Sequence, residues 1–106
     1  MIVTTTETVE GRAIAENLGL VRGNVIRARH VGRDIGAALR NVFGGEIREY
    51  TKLMAESREQ AVDRMVEDAE RLEADAVVNV RFTTSMIMSS SAEILAYGTA
   101  VKLEPR

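Results

Sequence analysis

The last extended segment, residues 93–104, constrains the fold more than any other stretch of the chain. Along it Ile94, Ala96, Gly98 and Ala100 alternate with Leu95, Tyr97, Thr99, Val101 and Leu103, so both faces of a strand here are largely apolar. Side chains alternate across a pleated strand, and one that is apolar on both faces has to be covered twice. The rest of the chain offers about one helical layer. The second cover is therefore expected from another subunit, which makes the chain a closed homo-oligomer.

The helical layer is the segment from about residue 48 to 74. Leu53, Met54, Ala61, Met65, Ala69 and Leu72 recur on one stripe, broadened by Val62 and Val66, and the remaining positions are charged. This spacing predicts an amphipathic helix lying on a sheet, with an acidic, solvated outer face. A shorter helix is expected over residues 34–43, where Ile35, Ala38, Leu39, Val42 and Phe43 keep helical spacing and Gly44-Gly45 ends the run.

Strands are expected at residues 2–6, before a polar turn at 7–11, and at 12–29, bent or broken where Gly19 and Gly23 interrupt it. A third is expected at 76–84, with Val78, Val80 and Phe82 on one face and Asn79, Arg81 and Thr83 on the other. Residues 85–91 read as a loop or hairpin tip. The expected architecture is α+β: a small, mainly antiparallel sheet covered by one long and one short helix, in a single domain of residues 1–106.

Composition narrows the function. Apolar residues make up 45% of the chain, yet only Phe43, Phe82, Tyr50 and Tyr97 are aromatic, so the core is modest and gains from burial against copies of itself. There is no cysteine, which removes disulfides, thiolate metal sites and a cysteine nucleophile together. The first residues lack a signal-peptide pattern and no run approaches the roughly 18 apolar residues of a spanning helix, so a cytoplasmic location without membrane contact is expected.

The formal net charge of -2 argues against general affinity for nucleic acid. Its distribution is uneven. Residues 22–48 hold six arginines against Asp34 and Glu46, and residues 56–75 hold eight acids against Arg58, Arg64 and Arg71. The two regions can complement each other within or between subunits.

Each candidate site residue has a plainer alternative. His30 alone titrates near neutrality and could serve as ligand, base or switch; the plainer role is a surface or interface histidine. Asp34 can cap the short helix, while Arg33, Arg40 and the helix start could hold an anion. Tyr50, Glu93 and Tyr97 are polar residues suited to an intersubunit cleft; otherwise Tyr97 packs between subunits and Tyr50 anchors the long helix.

Pairs such as Asp63 with Glu67, or Glu67 with Asp68, could bind a hard cation but more often form a solvated face. The Met86-Ile87-Met88 trio fits either adaptable partner contacts or a continuing strand covered by a neighbour. A single histidine, with no nucleophile elbow near it, supports no catalytic triad, and no metal set is assigned.

The order of motifs resembles the YbjQ-like family. It runs Glu10-Gly11, Ile14, Gly19, Val21 and Gly23; Arg33-Asp34 and Arg40 before Gly44-Gly45; Tyr50 and a long helix; residues 74–78 as Ala-Asp-Ala-Val-Val; and residues 96–101 as Ala-Tyr-Gly-Thr-Ala-Val. The resemblance spans nearly the whole chain. It implies a subunit related in shape to the dodecins, assembled as a ring-like homopentamer, in a family often labelled heavy-metal-binding.

That label sits badly with a chain holding one histidine and no cysteine, because soft metals favour imidazole and thiolate. The chain also departs from the pattern at Glu73, where a glycine is expected before Ala74, and this should alter the helix end and not the fold. Taken together, the residues and the resemblance point to a non-enzymatic, oligomeric small-ligand or ion-binding module with sites between subunits. The rivals are a scaffold ring and an enzyme with an intersubunit arginine, tyrosine and carboxylate site.

Overall fold

One long hairpin organises the sheet. The computed structural model describes residues 1–28, 45–88 and 91–105. Within them β1 (Ile2–Val3), β2 (Ile14–Ala28), α1 (Gly45–Arg71), β3 (Ala76–Met88) and β4 (Ser91–Leu103) follow in that order. The strands form one sheet in the order β1-β3-β4-β2, with β1 parallel to β3 and the other pairs antiparallel. The expected short helix at 34–43 lies outside the described residues, among which α1 is the one helix. α1 is not apolar enough to cross a membrane.

The helical stripe is the one the spacing predicts, with two corrections. Ala61, Met65 and Ala69 are fully buried against Val21, Val25, Val77, Val80, Ile94, Ala96 and Ala100. Ser57 extends this i,i+4 row by one turn: it is buried, its Oγ donates to the Leu53 carbonyl at 2.8 Å, and it accepts from Arg27 Nε at 2.8 Å. Leu72, expected on the stripe, is exposed because α1 ends at Arg71.

The helix stop is a six-residue turn in which the Ala74 N–H reaches the Ala69 carbonyl and the Glu73 N–H reaches that of Glu70. Glu73 takes the left-handed φ of 60° that glycine usually supplies at this position.

Two glycines in β2 do different things. Gly19, at φ 105°, sits beside the register shift between Asn17 and Gly19 and gives the expected irregularity. Gly23 allows close approach: a Cβ there would lie 2.3 Å from the Ala61 carbonyl oxygen and 2.4 Å from the Met65 nitrogen. The helix backbone therefore rests directly on the strand backbone.

β3 corrects two readings. Its faces do not simply alternate, because Asn79 adopts φ 55° and the two residues Asn79 and Val80 stand opposite Gly98 alone. This bulge puts Val77 and Val80 on the α1 side and Val78 on the other. Phe82 pairs with Ala96 on the α1 side, while Arg81 and Thr83 pair with Tyr97 and Leu95 on the second face. The bulge is tied down by N–H bonds from Asn79 to the Thr6 carbonyl and from Val80 to the Thr4 carbonyl.

Residues 85–88 are strand and not loop. Ser85 pairs with Glu93 and Met86 with Ala92, so cross-strand pairing overrides a serine-rich composition that reads as a turn.

The second face of β4 is covered in two parts. At its C-terminal end Val101 and Leu103 join Ala76 and Val78 in a small buried cluster, against which Val9 packs. There the cover comes from the chain's own N-terminal segment and not from a neighbour. Farther along, Glu93, Leu95, Tyr97 and Thr99 are only half-buried.

Candidate functional site

The half-covered second face holds a candidate site. Strand register places three rows across it: Ile26, Glu93 and Ser85; Asn24, Leu95 and Thr83; Arg22, Tyr97 and Arg81. Directly paired residues share a face, so Tyr97 is flanked by an arginine on each neighbouring strand. Asn24 Nδ2 donates to Glu93 Oε2 at 3.1 Å, and a groove of about 440 Å³ opens between Arg22, Asn24, Glu93 and Leu95.

Arg22 offers a guanidinium to an anion, Glu93 a carboxylate to a cation or a proton, and Leu95 apolar surface. Arg81 is held away from free rotation by bonds from its Nη1 to the Thr5 carbonyl at 2.9 Å and the Val80 carbonyl at 2.8 Å.

Of the residues singled out from sequence, the fold brings Glu93 and Tyr97 to this face. Tyr50 lies near the start of α1, and only its backbone is described. His30, Arg33, Asp34 and Arg40 lie outside the described residues. Sequence reasoning missed Arg22, Asn24 and Arg81. They alternate with apolar neighbours, a signal of a shared polar face, but only register shows that they surround Tyr97.

A second groove runs along the outer edge of β2. Here the acidic helix face is not simply solvated. Asp68 Oδ2 accepts from the Arg22 backbone N–H at 3.2 Å, Arg64 Nη1 donates to the Asn24 carbonyl at 2.6 Å, and Asp68 Oδ1 pairs with Arg71 at 3.2 Å. Asp68 is thus engaged with the strand edge and not free for a cation. Among the described residues no three His, Cys, Asp or Glu side chains converge in a way that could hold a metal.

Comparison with known proteins now places the chain. A family model described as "Putative heavy-metal-binding", YbjQ, matches residues 1–104. The chain belongs to the YbjQ-like family. A relative from Methanosarcina acetivorans, named "UPF0145 protein", is 58% identical over 106 residues and the match covers all of both chains. One of the same name from Vibrio campbellii is 60% identical over 103 residues, covering 97% of this chain and 99% of that one.

A crystal structure from Pediococcus pentosaceus, described as a protein of unknown function in the DUF74 family, has the same fold. It superposes with a TM-score of 0.70 at 16% identity and covers 98% of each chain. The metal in the YbjQ-like family description is not matched by the donors described in this member: the chain has no cysteine, and its one histidine, His30, lies outside the described residues.

Proposed function

We propose that this YbjQ-like protein is a non-enzymatic, ring-forming module of the cytoplasm that binds a small ligand or ion between its subunits. The observation that carries the reading is the second face of β4. Leu95 and Tyr97 are half-buried in one chain; Leu95 lines a groove with Arg22, Asn24 and Glu93, and Tyr97 stands opposite Arg22 beside it. A neighbouring subunit laid on this face would finish burying the apolar row and close the groove over its polar groups. A pentamer of dodecin-like subunits is the arrangement we favour.

Native mass spectrometry of gently purified protein tests this. The wild type should appear as a closed oligomer with added mass, and Tyr97→Arg should shift it toward monomer by setting a third arginine between Arg22 and Arg81. An unchanged oligomer in the variant would defeat the placement of Tyr97 at a subunit contact. A scaffold ring without ligand is the second reading, favoured by the exposed Met86 and Ile87 at the hairpin end, and a bare oligomer in the same spectrum would select it.

A further inference from the structure

Two opposite charges stand at the two ends of the groove on the second face, and neither neutralises the other. Arg22 and Glu93 both line it, together with Asn24 and Leu95. Register sets the charges apart: Arg22 pairs with Tyr97, whereas Glu93 pairs with Ile26, four residues farther along β2 and about 14 Å away at the usual rise of a strand. Among the described residues the one ion pair is Arg71 with Asp68, so Arg22 and Glu93 do not bridge the gap themselves. Asn24 and Leu95 form the row between them, and Leu95 gives the gap an apolar floor.

The Glu93 end is built from acceptors. Asn24 Nδ2 donates to Glu93 Oε2 at 3.1 Å, and because a carboxylate only accepts, this contact fixes which way the amide points. Asn24 Oδ1 and Glu93 Oε1 then have no partner among the described residues. An ammonium carries three N–H donors and no acceptor, which matches this end. A quaternary ammonium has no donor and needs aromatic faces, and among the described residues no aromatic ring lines the groove. At the other end Arg22 is exposed, and its guanidinium has no partner among the described residues; the bond it makes to Asp68 comes from its backbone N–H. A guanidinium fork suits the two oxygens of a carboxylate.

We infer that the groove takes a small dipolar ligand of the ω-amino acid class, with its ammonium on Glu93 and Asn24, its carboxylate on Arg22 and its hydrocarbon chain on Leu95. An α-amino acid carries both charges on one carbon and cannot reach the two ends at once. A ligand of one charge would leave the opposite side chain without a counterion once the groove is closed, which is costly. This inference rests on the binding groove proposed above and names the chemistry of its ligand.

Titration calorimetry on the full chain tests it, with δ-aminovalerate as the probe and valerate, pentylamine and norvaline as controls. The dipolar probe should bind at least tenfold tighter than each control, which lacks one charge or carries both on one carbon. Equal affinity for any control, or no binding of the probe, would overturn the inference. The native mass spectrum of the same protein separates this from the parent reading. Retained mass of another composition, without affinity for the probe, removes the ω-amino acid and leaves the binding module standing; a bare protein without affinity for the probe removes both. Glu93→Gln should weaken the probe at least tenfold and leave valerate unchanged, and Arg22→Gln should weaken both. Glu59→Gln on the helix exterior should change neither. Unchanged probe affinity in Glu93→Gln would overturn the assignment, and if that variant misfolds, the ranking of the four probes on the wild type decides alone.

Discussion

Gly23→Ala probes the contact on which the two-layer arrangement depends. A Cβ at this position would sit 2.3 Å from the Ala61 carbonyl oxygen, 2.4 Å from the Met65 nitrogen and 2.7 Å from the Arg64 Cβ. Two of these are backbone atoms inside a continuous helix, so no rotamer change can relieve the clash. α1 must lift by about 1 Å to restore ordinary contact distances. Ala61, Met65 and Ala69, each 0% exposed, would then lose their seating against Val21 and Val25.

Overpacking of a core costs about 1–3 kcal/mol, and an obstruction made of backbone belongs at the upper end. The stiffer unfolded chain of the alanine variant offsets up to about 1 kcal/mol of that. The net loss is about 2 kcal/mol, or roughly 8–16 °C in Tm for a domain of this size.

Urea unfolding followed by far-ultraviolet circular dichroism, at one protein concentration, measures the loss directly. Gly19→Ala is the control. It meets no atom within 4 Å but must hold φ at 105°, so it costs backbone strain without moving the helix. Amide exchange in α1 should therefore quicken in the Gly23 variant and hold steady in the Gly19 variant. A Gly23→Ala loss below about 0.5 kcal/mol would refute the direct seating of α1 on β2.

Two further substitutions test the helix itself. Ser57→Ala removes a buried hydroxyl that both donates to Leu53 and accepts from Arg27, leaving the guanidinium short of a partner. A loss of about 1–3 kcal/mol in chemical denaturation is expected, and a neutral result would show that water replaces the hydroxyl at no cost. Glu73→Gly relieves a left-handed φ of 60° at the helix stop and should stabilise by about 0.5–1 kcal/mol, seen as a Tm higher by several degrees; a lower Tm would mean that the Glu73 side chain contributes more than its backbone strain costs.

Much of this architecture was legible because it is written in short-range periodicity. The i,i+4 recurrence of Ala61, Met65 and Ala69 predicts the buried stripe of α1, and the two-sided apolar alternation of residues 93–104 predicts a strand that needs covering on both faces. Gly19 and Gly23 predict trouble in β2. Tyr97 and Glu93 stand out as the polar and aromatic members of an otherwise aliphatic strand. These features depend on neighbours within a turn or a pleat, and the chain order alone supplies them.

What depends on pairing between distant segments was decided only by the tertiary structure. Asn79 and Val80 share one partner, Gly98, and this single extra residue moves Val78 to the opposite face from Val80. Residues 85–88 became strand because Glu93 and Ala92 lie across from them. Arg22 and Arg81, 59 positions apart in the numbering, meet on either side of Tyr97 only through register. The cover of Val101 and Leu103 by Val9, and the closing of the β2 edge by Asp68 and Arg64, are contacts between segments far apart in sequence. Periodicity states which face of an element is apolar; which residue stands opposite another is set by the lowest-energy register of whole strands, and a one-residue slip reverses every face beyond it.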